Sequence, residues 1–180
     1  ADGRRVLGLV RSSGGGYAAQ AALDEQWLFD LPDEASFEQG AAFLMAYLTA
    51  WIPLTRQASV GSGSRVLVHA AAGGVGLIAC QWAAALGLRV IATAGSPAKC
   101  ELALAAGATH AIDYTKNDVV ARVREWTGGR GVRVVYDSVG KDTWERSLDC
   151  LEPLGLMVSF GNASGAVPPI SLRQLAVKGS

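Results

Sequence analysis

An uncharged segment at residues 69–87 reads HAAAGGVGLIACQWAAALG and follows the strand-like run RVLV. Within it, residues 71–76 read AAGGVG and match the dinucleotide-binding pattern G-x-G-x-x-G, except that Ala71 replaces the first glycine. Gly73 would let the backbone approach a pyrophosphate, and Gly76 would let a helix pack closely against the preceding strand. A glycine-rich turn that leads into a helix N-terminus attracts phosphate groups. The segment therefore predicts dinucleotide binding, with a purely structural glycine turn as the alternative.

The residues about 20 positions after these glycines indicate which dinucleotide would bind. NAD-binding enzymes usually carry an acidic residue about 20 positions after the glycines, where it binds the ribose hydroxyls. Here the count ends near Thr93, and there is no acid before Glu101. Ser96 and Lys99 could instead bind a 2′-phosphate, although Ser96 also suits a helix N-cap and Lys99 a solvated surface position. Because a lysine in a first helical turn opposes the helix dipole, the pattern favours NADP over NAD.

The surrounding chain alternates strand-like and helical segments, which must position these residues. Strands are predicted at residues 65–69, 89–93, 110–113, 132–137 and 156–160, and helices at residues 74–86, 97–106, 119–127 and 144–151. Alternation at this spacing predicts an α/β fold, a doubly wound Rossmann parallel sheet with helices on both faces. Counted from the strand at residue 65, the expected spatial order is 3-2-1-4-5.

The N-terminal part of the chain has a different texture. In residues 1–31, short apolar runs are broken by glycine clusters, which predicts a small antiparallel β structure. From Ser36 the sequence SFEQGAAFLMAYLTAWIPL opens with a serine, places an acid two residues later and continues with helical spacing, so a helix is predicted. The predicted organisation is therefore an N-terminal β segment at 1–31, a connecting helix region at 32–60 and a nucleotide-binding domain at 61–180.

Composition excludes several classes of function. The 180 residues include 16 Lys plus Arg and 16 Asp plus Glu, so there is no basic excess to bind nucleic acid or an anionic membrane surface. Residues 66–88 carry no formal charge and are long enough to span a bilayer. They are dominated by Ala and Gly and include His69 and Gln81, which favours a buried strand and helix instead.

The number and spacing of the three cysteines indicate the cellular compartment in which the protein is expected. Cys80, Cys100 and Cys150 are too scattered for a paired metal motif, and their odd number argues against a disulfide framework. Reduced thiols in a cytoplasmic protein are expected.

Four segments together carry a family resemblance: HAAAGGVGLIACQWAAALG, AGATHAIDY, VVYDSVGKDTWERSLDCL and GLMVSFGNASG. Over essentially all 180 residues the chain resembles NADPH:quinone oxidoreductase, the zeta-crystallin-like, zinc-free branch of the medium-chain dehydrogenase/reductase superfamily. Chains of that family are longer. The resemblance implies that residues 1–31 are the end of an incomplete GroES-like substrate domain, and that the sixth Rossmann strand is missing. It also implies a homodimer in the full-length form.

The resemblance also implies roles for individual residues. Thr49 and Trp51, in YLTAW, match positions that face the nicotinamide end of NADPH, and an ordinary helix core face is the alternative. The pyrophosphate turn matches Gly73, Gly74 and Val75. The 2′-phosphate site matches Ser96 and Lys99, and the ring beside the adenosine matches Tyr114. The loop near the adenine ribose matches Ser138 and Val139, and the loop that meets the nicotinamide carboxamide matches Phe160, Gly161 and Asn162. No catalytic side chain and no metal ligand is implied.

Zinc-dependent relatives differ from this chain at two places. They carry Cys or Asp four residues before the position of Thr49, where this chain has Met45, and they insert a four-cysteine lobe where only residues 11–16 intervene here. His69 and His110 adjoin strands and are expected to be buried and hydrogen-bonded. A catalytic zinc needs three protein ligands and an open position, so a metal-free protein is expected.

The expected chemistry is hydride transfer from NADPH to a quinone or a conjugated enone, because such acceptors need no metal to become electrophilic. The 180 residues alone are expected to bind nucleotide at most. Two alternatives remain: an enoyl-reductase domain of a polyketide or fatty-acid assembly line, and a non-catalytic NADPH-binding or structural protein.

Overall fold

A computed structural model describes residues 3–10, 15–58 and 60–177 of the chain. The chain divides into two compact units, residues 1–48 and residues 49–180. The domain bounds expected from the sequence, at residues 31 and 61, stay predictions.

The first unit contains the small antiparallel sheet that the sequence predicts. Strand β1 (Val6–Gly8) pairs with strand β2 (Leu28–Asp30), and a short 3-10 helix (Glu25–Trp27) precedes β2. Next to β1, the guanidinium of Arg5 donates hydrogen bonds to the carbonyls of Pro32, at 3.1 Å, and of Asp33, at 2.8 Å. These bonds join the start of the sheet to the segment that leads into the first helix.

Helix α1 (Phe37–Ile52) begins at a capping box. The Ser36 hydroxyl accepts from the Gln39 N–H at 3.2 Å, and the Gln39 side chain accepts from the Ser36 N–H at 2.8 Å. The reciprocal bonds satisfy two backbone donors at the helix start. The predicted helix is confirmed, and the reciprocal partner of Ser36 in the capping box is Gln39. Pro53 has no N–H to donate, and after it the chain continues as a π-helical turn (Pro53–Gln57), closed by the Ala58 N–H donating to the carbonyl of Pro53 at 2.8 Å.

The second unit is built on the predicted parallel sheet. Its strands are β3 (Arg65–Val68), β4 (Arg89–Ala94), β5 (His110–Asp113), β6 (Val132–Asp137) and β7 (Leu151–Ser159). Their spatial order is β5-β4-β3-β6-β7, and every pair is parallel. Counted from β3 this order is 3-2-1-4-5, so the predicted fold class and strand order are confirmed.

Helices cover both faces of this sheet. They are α2 (Gly74–Ala85), α3 (Pro97–Ala105), α4 (Val119–Thr127) and α5 (Trp144–Cys150), followed by α6 (Leu172–Val177). Val66 and Val134 face one way and pack with Ala79 of α2. Leu67 faces the other way and packs with Val123 of α4. Alternation along each strand thus fills a core on each side.

The last strand is longer than predicted. A strand was expected only from residue 156, after a helix ending at 151. In the structure α5 ends at Cys150, and Leu151 already pairs with Val132. A bulge follows, in which Leu154 has a positive φ of 61° and its carbonyl accepts from the Arg133 guanidinium at 2.7 Å. The irregular register hid this first part of the strand from pattern reasoning.

The two histidines, His69 and His110, differ in their exposure to solvent. His69 is buried and hydrogen-bonded, as expected. The expectation for His110 is wrong, because this residue is exposed and its ring stacks on Trp126 at a centroid distance of 4.4 Å. His110 is the first residue of β5, which pairs with β4 alone. The end of an outer strand leaves a side chain in contact with solvent.

The cysteines are free and buried. Burial raises the pKa of the Cys80 and Cys150 thiols to about 12, so neither is a reactive thiolate at neutral pH. In the described part of the chain no helix is long and apolar enough to cross a membrane.

A cluster of polar side chains is buried where β3, β4 and β6 end. The imidazole of His69 lies between the hydroxyl of Thr93, 2.9 Å from Nδ1, and the hydroxyl of Ser147, 3.1 Å from Nε2. Ser147 also donates to the carboxylate of Asp137 at 2.7 Å. Burial lowers the pKa of His69 to about 4. We call these four residues the buried polar chain.

The approach of α2 to β3 yields a first testable expectation, at Gly76. A Cβ atom at this position would lie 2.5 Å from the carbonyl oxygen of Ala70 and 2.7 Å from Cα of Ala71, both in backbone. Gly76→Ala should therefore lower the free energy of unfolding by about 1 to 3 kcal/mol, the usual cost of overpacking. Urea denaturation measures this change.

The matched control is Gly74→Ala, two residues earlier in the same helix. Apart from its chain neighbours and the backbone of its own helix, no atom lies within 4 Å of the position that its Cβ would take. Because alanine favours helix, this variant should be neutral or stabilised by up to about 1 kcal/mol. Equal destabilisation by the two substitutions would contradict the steric explanation.

The depressed pKa of His69 makes stability depend on pH. Between its unfolded value of about 6.5 and its folded value of about 4, the unfolded chain binds a proton that the folded protein does not. The free energy of unfolding should therefore fall as the pH is lowered through this range, by up to about 3 kcal/mol from this group. Below about pH 4 the contribution of His69 should no longer change.

His69→Gln is the control, measured by urea denaturation at several pH values. Glutamine does not titrate, and His110 is present in both proteins, so the difference in slope belongs to His69. An unchanged slope between pH 6.5 and 4 would show that the buried imidazole does not carry this pH dependence.

Candidate functional site

All five parallel strands end at one edge of the sheet, which we call the carboxyl edge. The segments that follow them carry all the predicted site residues except the pair on α1: Gly73, Gly74 and Val75 after β3; Ser96 and Lys99 after β4; Tyr114 after β5; Ser138 and Val139 after β6; Phe160, Gly161 and Asn162 after β7. Ligands of open parallel sheets bind at this edge. The topology thus brings together residues that are up to 89 positions apart in the chain.

The turn between β3 and α2, residues 69–73, is tight: Ala70 and Gly73 are exposed, whereas His69 and Ala71 are buried. Ala70 adopts a positive φ of 49°, a conformation that costs a non-glycine residue about 1 kcal/mol or more. The N–H of Gly73 donates to the carbonyl of Ala70 at 2.9 Å, and α2 begins at the exposed Gly74. Among the described residues no side chain caps α2. Its first N–H groups are therefore available to an anion, which the positive end of the helix dipole also attracts.

The start of α3 lies after the neighbouring strand. Ser96 is the N-cap, since its hydroxyl accepts from the Lys99 N–H at 3.4 Å, while the side chain of Lys99 is exposed. A Cβ at Gly95 would lie 2.7 Å from the hydroxyl oxygen of Tyr114, so the half-exposed tyrosine ring crosses the backbone of this glycine. Ser96, Lys99 and Tyr114 are thus neighbours. Sequence reasoning missed Gly95, whose place between a strand end and an N-cap serine was the available signal.

The loops after β6 and β7, residues 138–143 and 160–165, are bonded to each other. The N–H of Ala163 donates to the carbonyl of Ser138 at 3.1 Å, and the N–H of Ser164 donates to the carbonyl of Val139 at 2.8 Å. A Cβ at Gly161 would lie 2.7 Å from the carbonyl oxygen of Ser138, so only glycine allows this approach. The two loops form one backbone surface, and Ser164, which joins them, was not among the predicted residues.

Thr49 and Trp51 lie near the end of α1 and are half-buried. Between them, the carbonyl of Ala50 accepts from the hydroxyl of Tyr136 at 2.8 Å. Burial raises the pKa of Tyr136, which keeps the phenol protonated as a donor. Tyr136 is the next-to-last residue of β6, so this bond fixes the helix end against the strand. The role of Thr49 and Trp51 at a nicotinamide ring stays a prediction.

Sequence reasoning also missed the buried polar chain, which lies under these segments. Burial alone would raise the pKa of Asp137, but hydrogen bonds from Thr143, Gly140 and Ser147 bring it below its usual value. Asp137 is therefore a carboxylate with no exposure to solvent. An acid at the end of a predicted strand, followed by Ser-Val-Gly, was the available signal.

The described residues contain no group of three or more His, Cys, Asp or Glu side chains that could hold a metal ion. Met45, at the position where zinc-dependent relatives have a ligand, is exposed. Of the interval at residues 11–16, positions 11–14 lie outside the described residues.

The carboxyl edge fits a dinucleotide with an additional phosphate. The start of α2 offers uncapped N–H groups and glycines at the surface, which suit a pyrophosphate. The start of α3 offers a hydroxyl and a lysine, and it has no acid in its first turn. Positive dipole ends and a positive side chain thus occur together at neighbouring strands, β3 and β4.

Comparison with known proteins agrees with this geometry. A protein-family model described as zinc-binding dehydrogenase matches residues 74–180. A quinone oxidoreductase of Salmonella typhimurium is 52% identical over 178 residues, 99% of this chain and 54% of that protein. A 2-haloacrylate reductase of a Burkholderia species is 41% identical over 169 residues, 92% of this chain and 51% of that protein.

Solved structures give the same result. The crystal structure of the Escherichia coli quinone oxidoreductase in complex with NADPH aligns with a TM-score of 0.81 and 54% identity, covering 85% of this chain and 47% of that one. The chain therefore spans about half the length of the relatives it matches. Identity above 50% across almost the whole chain, together with the shared fold, shows that the chain belongs to the quinone oxidoreductases of the medium-chain dehydrogenase/reductase superfamily.

Proposed function

We propose that this chain is the nucleotide-binding part of an NADPH-dependent oxidoreductase that transfers hydride to a quinone or a conjugated enone without a metal. One observation carries the proposal: Ser96 and Lys99 lie at the start of α3, directly after β4. The neighbouring strand, β3, leads into the uncapped start of α2. The quinone oxidoreductases of Salmonella typhimurium and Escherichia coli, the latter crystallised with NADPH, support it.

Each segment of the carboxyl edge has a role in this proposal. The N–H groups at Gly74 and Val75 bind the pyrophosphate, because they open α2 without a side-chain cap, and Gly73 lets the backbone approach it. Lys99 and the hydroxyl of Ser96 bind the 2′-phosphate. The absence of an acid in the first turn of α3 avoids repulsion of that phosphate.

The other assigned residues contact the rest of the cofactor. Tyr114 packs beside the adenosine, where its ring already crosses Gly95. Ser138 and Val139 lie near the adenine ribose. Phe160, Gly161 and Asn162 present backbone to the carboxamide, and Thr49 and Trp51 face the nicotinamide. Phe160 packs edge-on against Tyr136 at a centroid distance of 6.0 Å, which supports the start of its loop.

The chemistry asks little of the side chains. When bound, NADPH supplies a hydride to an electrophilic carbon or oxygen of the acceptor, and solvent supplies the proton that completes the two-electron reduction. No alkoxide has to be stabilised, so no metal is required by this reaction. The protein contributes orientation and an apolar environment. The 2-haloacrylate reductase of Burkholderia is a relative whose name also indicates a conjugated acceptor.

Several properties of the whole protein belong to the same proposal. The full-length protein is a cytoplasmic homodimer that acts on a small molecule and does not bind nucleic acid or membranes. Residues 1–31 are the end of a GroES-like substrate domain, and a further strand extends the nucleotide-binding sheet. These statements rest on the family, because the chain spans about half of its relatives.

Turnover by the full-length protein tests the proposal. With NADPH, steady-state assays should show reduction of quinones or conjugated enones. Incubation with a chelator should leave the rate unchanged, because no step uses a metal. Elemental analysis should find zinc well below one per chain.

Other outcomes of the same assay favour the alternatives. Activity restricted to carrier-bound enoyl thioesters would favour an assembly-line enoyl reductase. NADPH binding without turnover of any acceptor would favour a non-catalytic nucleotide-binding protein. Loss of stoichiometric zinc together with activity would contradict the metal-free mechanism.

Cofactor choice provides a second test, at Lys99. A charge-assisted hydrogen bond to the 2′-phosphate implies that Lys99→Ala weakens NADPH binding by roughly tenfold to a hundredfold and leaves NADH binding nearly unchanged. Fluorescence titration of both nucleotides measures the two dissociation constants. The loss for NADPH should decrease as salt is raised, because Lys99 is exposed and its charge is screened.

The matched control is Arg89→Ala, which removes a positive charge from the opposite end of β4. This variant should bind both nucleotides as the unsubstituted protein does. Ser96→Ala should weaken NADPH binding less than Lys99→Ala, and a thermal unfolding measurement separates that effect from loss of the N-cap. Equal weakening of NADPH and NADH by Lys99→Ala would remove the main physical support for NADPH.

A further inference from the structure

The buried polar chain is the strongest feature that the proposed function does not use. His69, Thr93, Ser147 and Asp137 are 3%, 1%, 0% and 0% exposed. They come from four different elements or their ends: His69 directly follows β3, Thr93 is in β4, Asp137 ends β6 and Ser147 is in α5. Buried polar groups are stable only when each has a partner, so the direction of every bond can be worked out.

The carboxylate of Asp137 fixes that direction. A carboxylate only accepts hydrogen bonds, so the single proton of the Ser147 hydroxyl must be donated to it, across 2.7 Å. Ser147 then has only lone pairs to offer to His69, and Nε2 of the imidazole must carry a proton to donate to Oγ at 3.1 Å. In a neutral imidazole the other nitrogen, Nδ1, is an acceptor, and the hydroxyl of Thr93 donates to it at 2.9 Å.

Both ends of the buried polar chain are hydrogen-bonded to the backbone of the candidate site. The second carboxylate oxygen of Asp137 accepts from the N–H of Val139 at 2.7 Å and of Gly140 at 3.0 Å, which fixes the loop after β6. At the other end, the N–H of His69 donates to the carbonyl of Tyr136 at 2.9 Å, and that of Ala71 to the carbonyl of Thr93 at 3.0 Å. The turn after β3 and the loop after β6 therefore share one buried support.

We propose that His69 is a positioning residue, present as the neutral Nε2–H tautomer, which holds the turn at residues 69–73 and the loop at residues 138–140 in the relative placement that NADPH needs. The ligand named here rests on the proposed function, whereas the tautomer does not. The imidazole of His69 is buried and acts on the site through Ser147, Asp137 and Thr93.

The electrostatic surroundings agree with a neutral imidazole. Burial, the largest influence, lowers the pKa of His69 to about 4. The nearby charge of Asp137 acts in the opposite direction, and Arg146 adds to the lowering. At neutral pH the imidazole therefore carries one ring proton, and the bonding partners determine which nitrogen holds it.

Nitrogen NMR of the protein labelled at histidine tests the tautomer without any ligand. At pH 7, Nε2 of His69 should resonate as a protonated nitrogen and Nδ1 as an unprotonated acceptor, and this pattern should persist to about pH 5. A proton on Nδ1, or an equal mixture of tautomers, would overturn the proposal. His69→Gln identifies the signal, because only His110 remains in that variant.

NADPH affinity tests the positioning role. His69→Phe keeps a flat ring but removes both ring bonds, so Ser147 and Thr93 lose a partner, and the dissociation constant for NADPH should rise by about tenfold. His69→Gln keeps one amide donor and one amide acceptor, so the constant should stay within about threefold. Rescue by glutamine is a result that mere filling of space would not produce.

A matched control separates positioning from general loss of stability. Val123→Ala truncates a fully buried side chain of α4 in the core on the other face of the sheet. At a comparable loss of stability in urea it should leave NADPH affinity unchanged. If Val123→Ala weakens NADPH binding as much as His69→Phe, the positioning role is wrong.

A second variant covers failure of His69→Phe to fold. Valine has nearly the shape of threonine, so Thr93→Val removes only the donor to Nδ1. Ser147 still donates to Asp137, so Nε2 should stay protonated, while the Nδ1 signal should shift towards that of an acceptor without a hydrogen bond. An unchanged Nδ1 signal, or a proton on Nδ1, would contradict the deduced chain. Failure of the unsubstituted protein to bind NADPH would instead contradict the proposed function, and the NMR result would still decide the tautomer.

Discussion

Asp137 carries a carboxylate at the end of a central strand where no water reaches it, and much of the arrangement at the carboxyl edge follows from satisfying that charge. One oxygen accepts two backbone N–H groups from the loop after β6, and the other accepts the hydroxyl of Ser147. An unpaired buried charge costs several kcal/mol, so the loop and α5 are not free to move independently of the strand. The same loop is bonded in turn to the loop after β7. A single ionic group therefore organises the backbone that follows two neighbouring strands.

A steric constraint at the turn after β3 complements the hydrogen bonds of Asp137. Gly76 lets α2 approach the turn so closely that a methyl group would overlap the backbone of Ala70 and Ala71. Because α2 lies this close to the strand end, its uncapped first turn opens directly at the carboxyl edge. Gly95 and Gly161 act in the same way for the ring of Tyr114 and the backbone of Ser138. Close approach at glycines and buried hydrogen bonds thus determine the surface that a ligand meets.

How much of this arrangement a sequence can predict depends on how far apart along the chain the interacting residues are. The five strands, their order and the starts of α2 and α3 were predictable, because hydrophobic alternation, the glycines before α2 and the N-cap serine before α3 are local signals. The bond between His69 and Ser147 joins residues 78 positions apart, and neither residue has a local pattern that points to the other. The exposure of His110 follows from the edge position of its strand, which the predicted strand order already implied. Side-chain partners that are distant in the chain are therefore what the sequence could not reveal.

The division between buried and exposed charge also explains how one edge can be both rigid and able to bind an anion. The buried polar chain is closed, since every donor in it has an acceptor, and both carboxylate oxygens of Asp137 accept hydrogen bonds from protein groups. The exposed groups are of the opposite kind: the side chain of Lys99 in the first turn of α3, and uncapped N–H groups at the start of α2. A negative charge is placed inside, where it holds backbone, and positive partial charges are placed outside, where they face solvent. The N–H groups that Asp137 accepts from belong to Val139 and Gly140 in the loop after β6, so this carboxylate leaves the N–H groups at the start of α2 to a ligand.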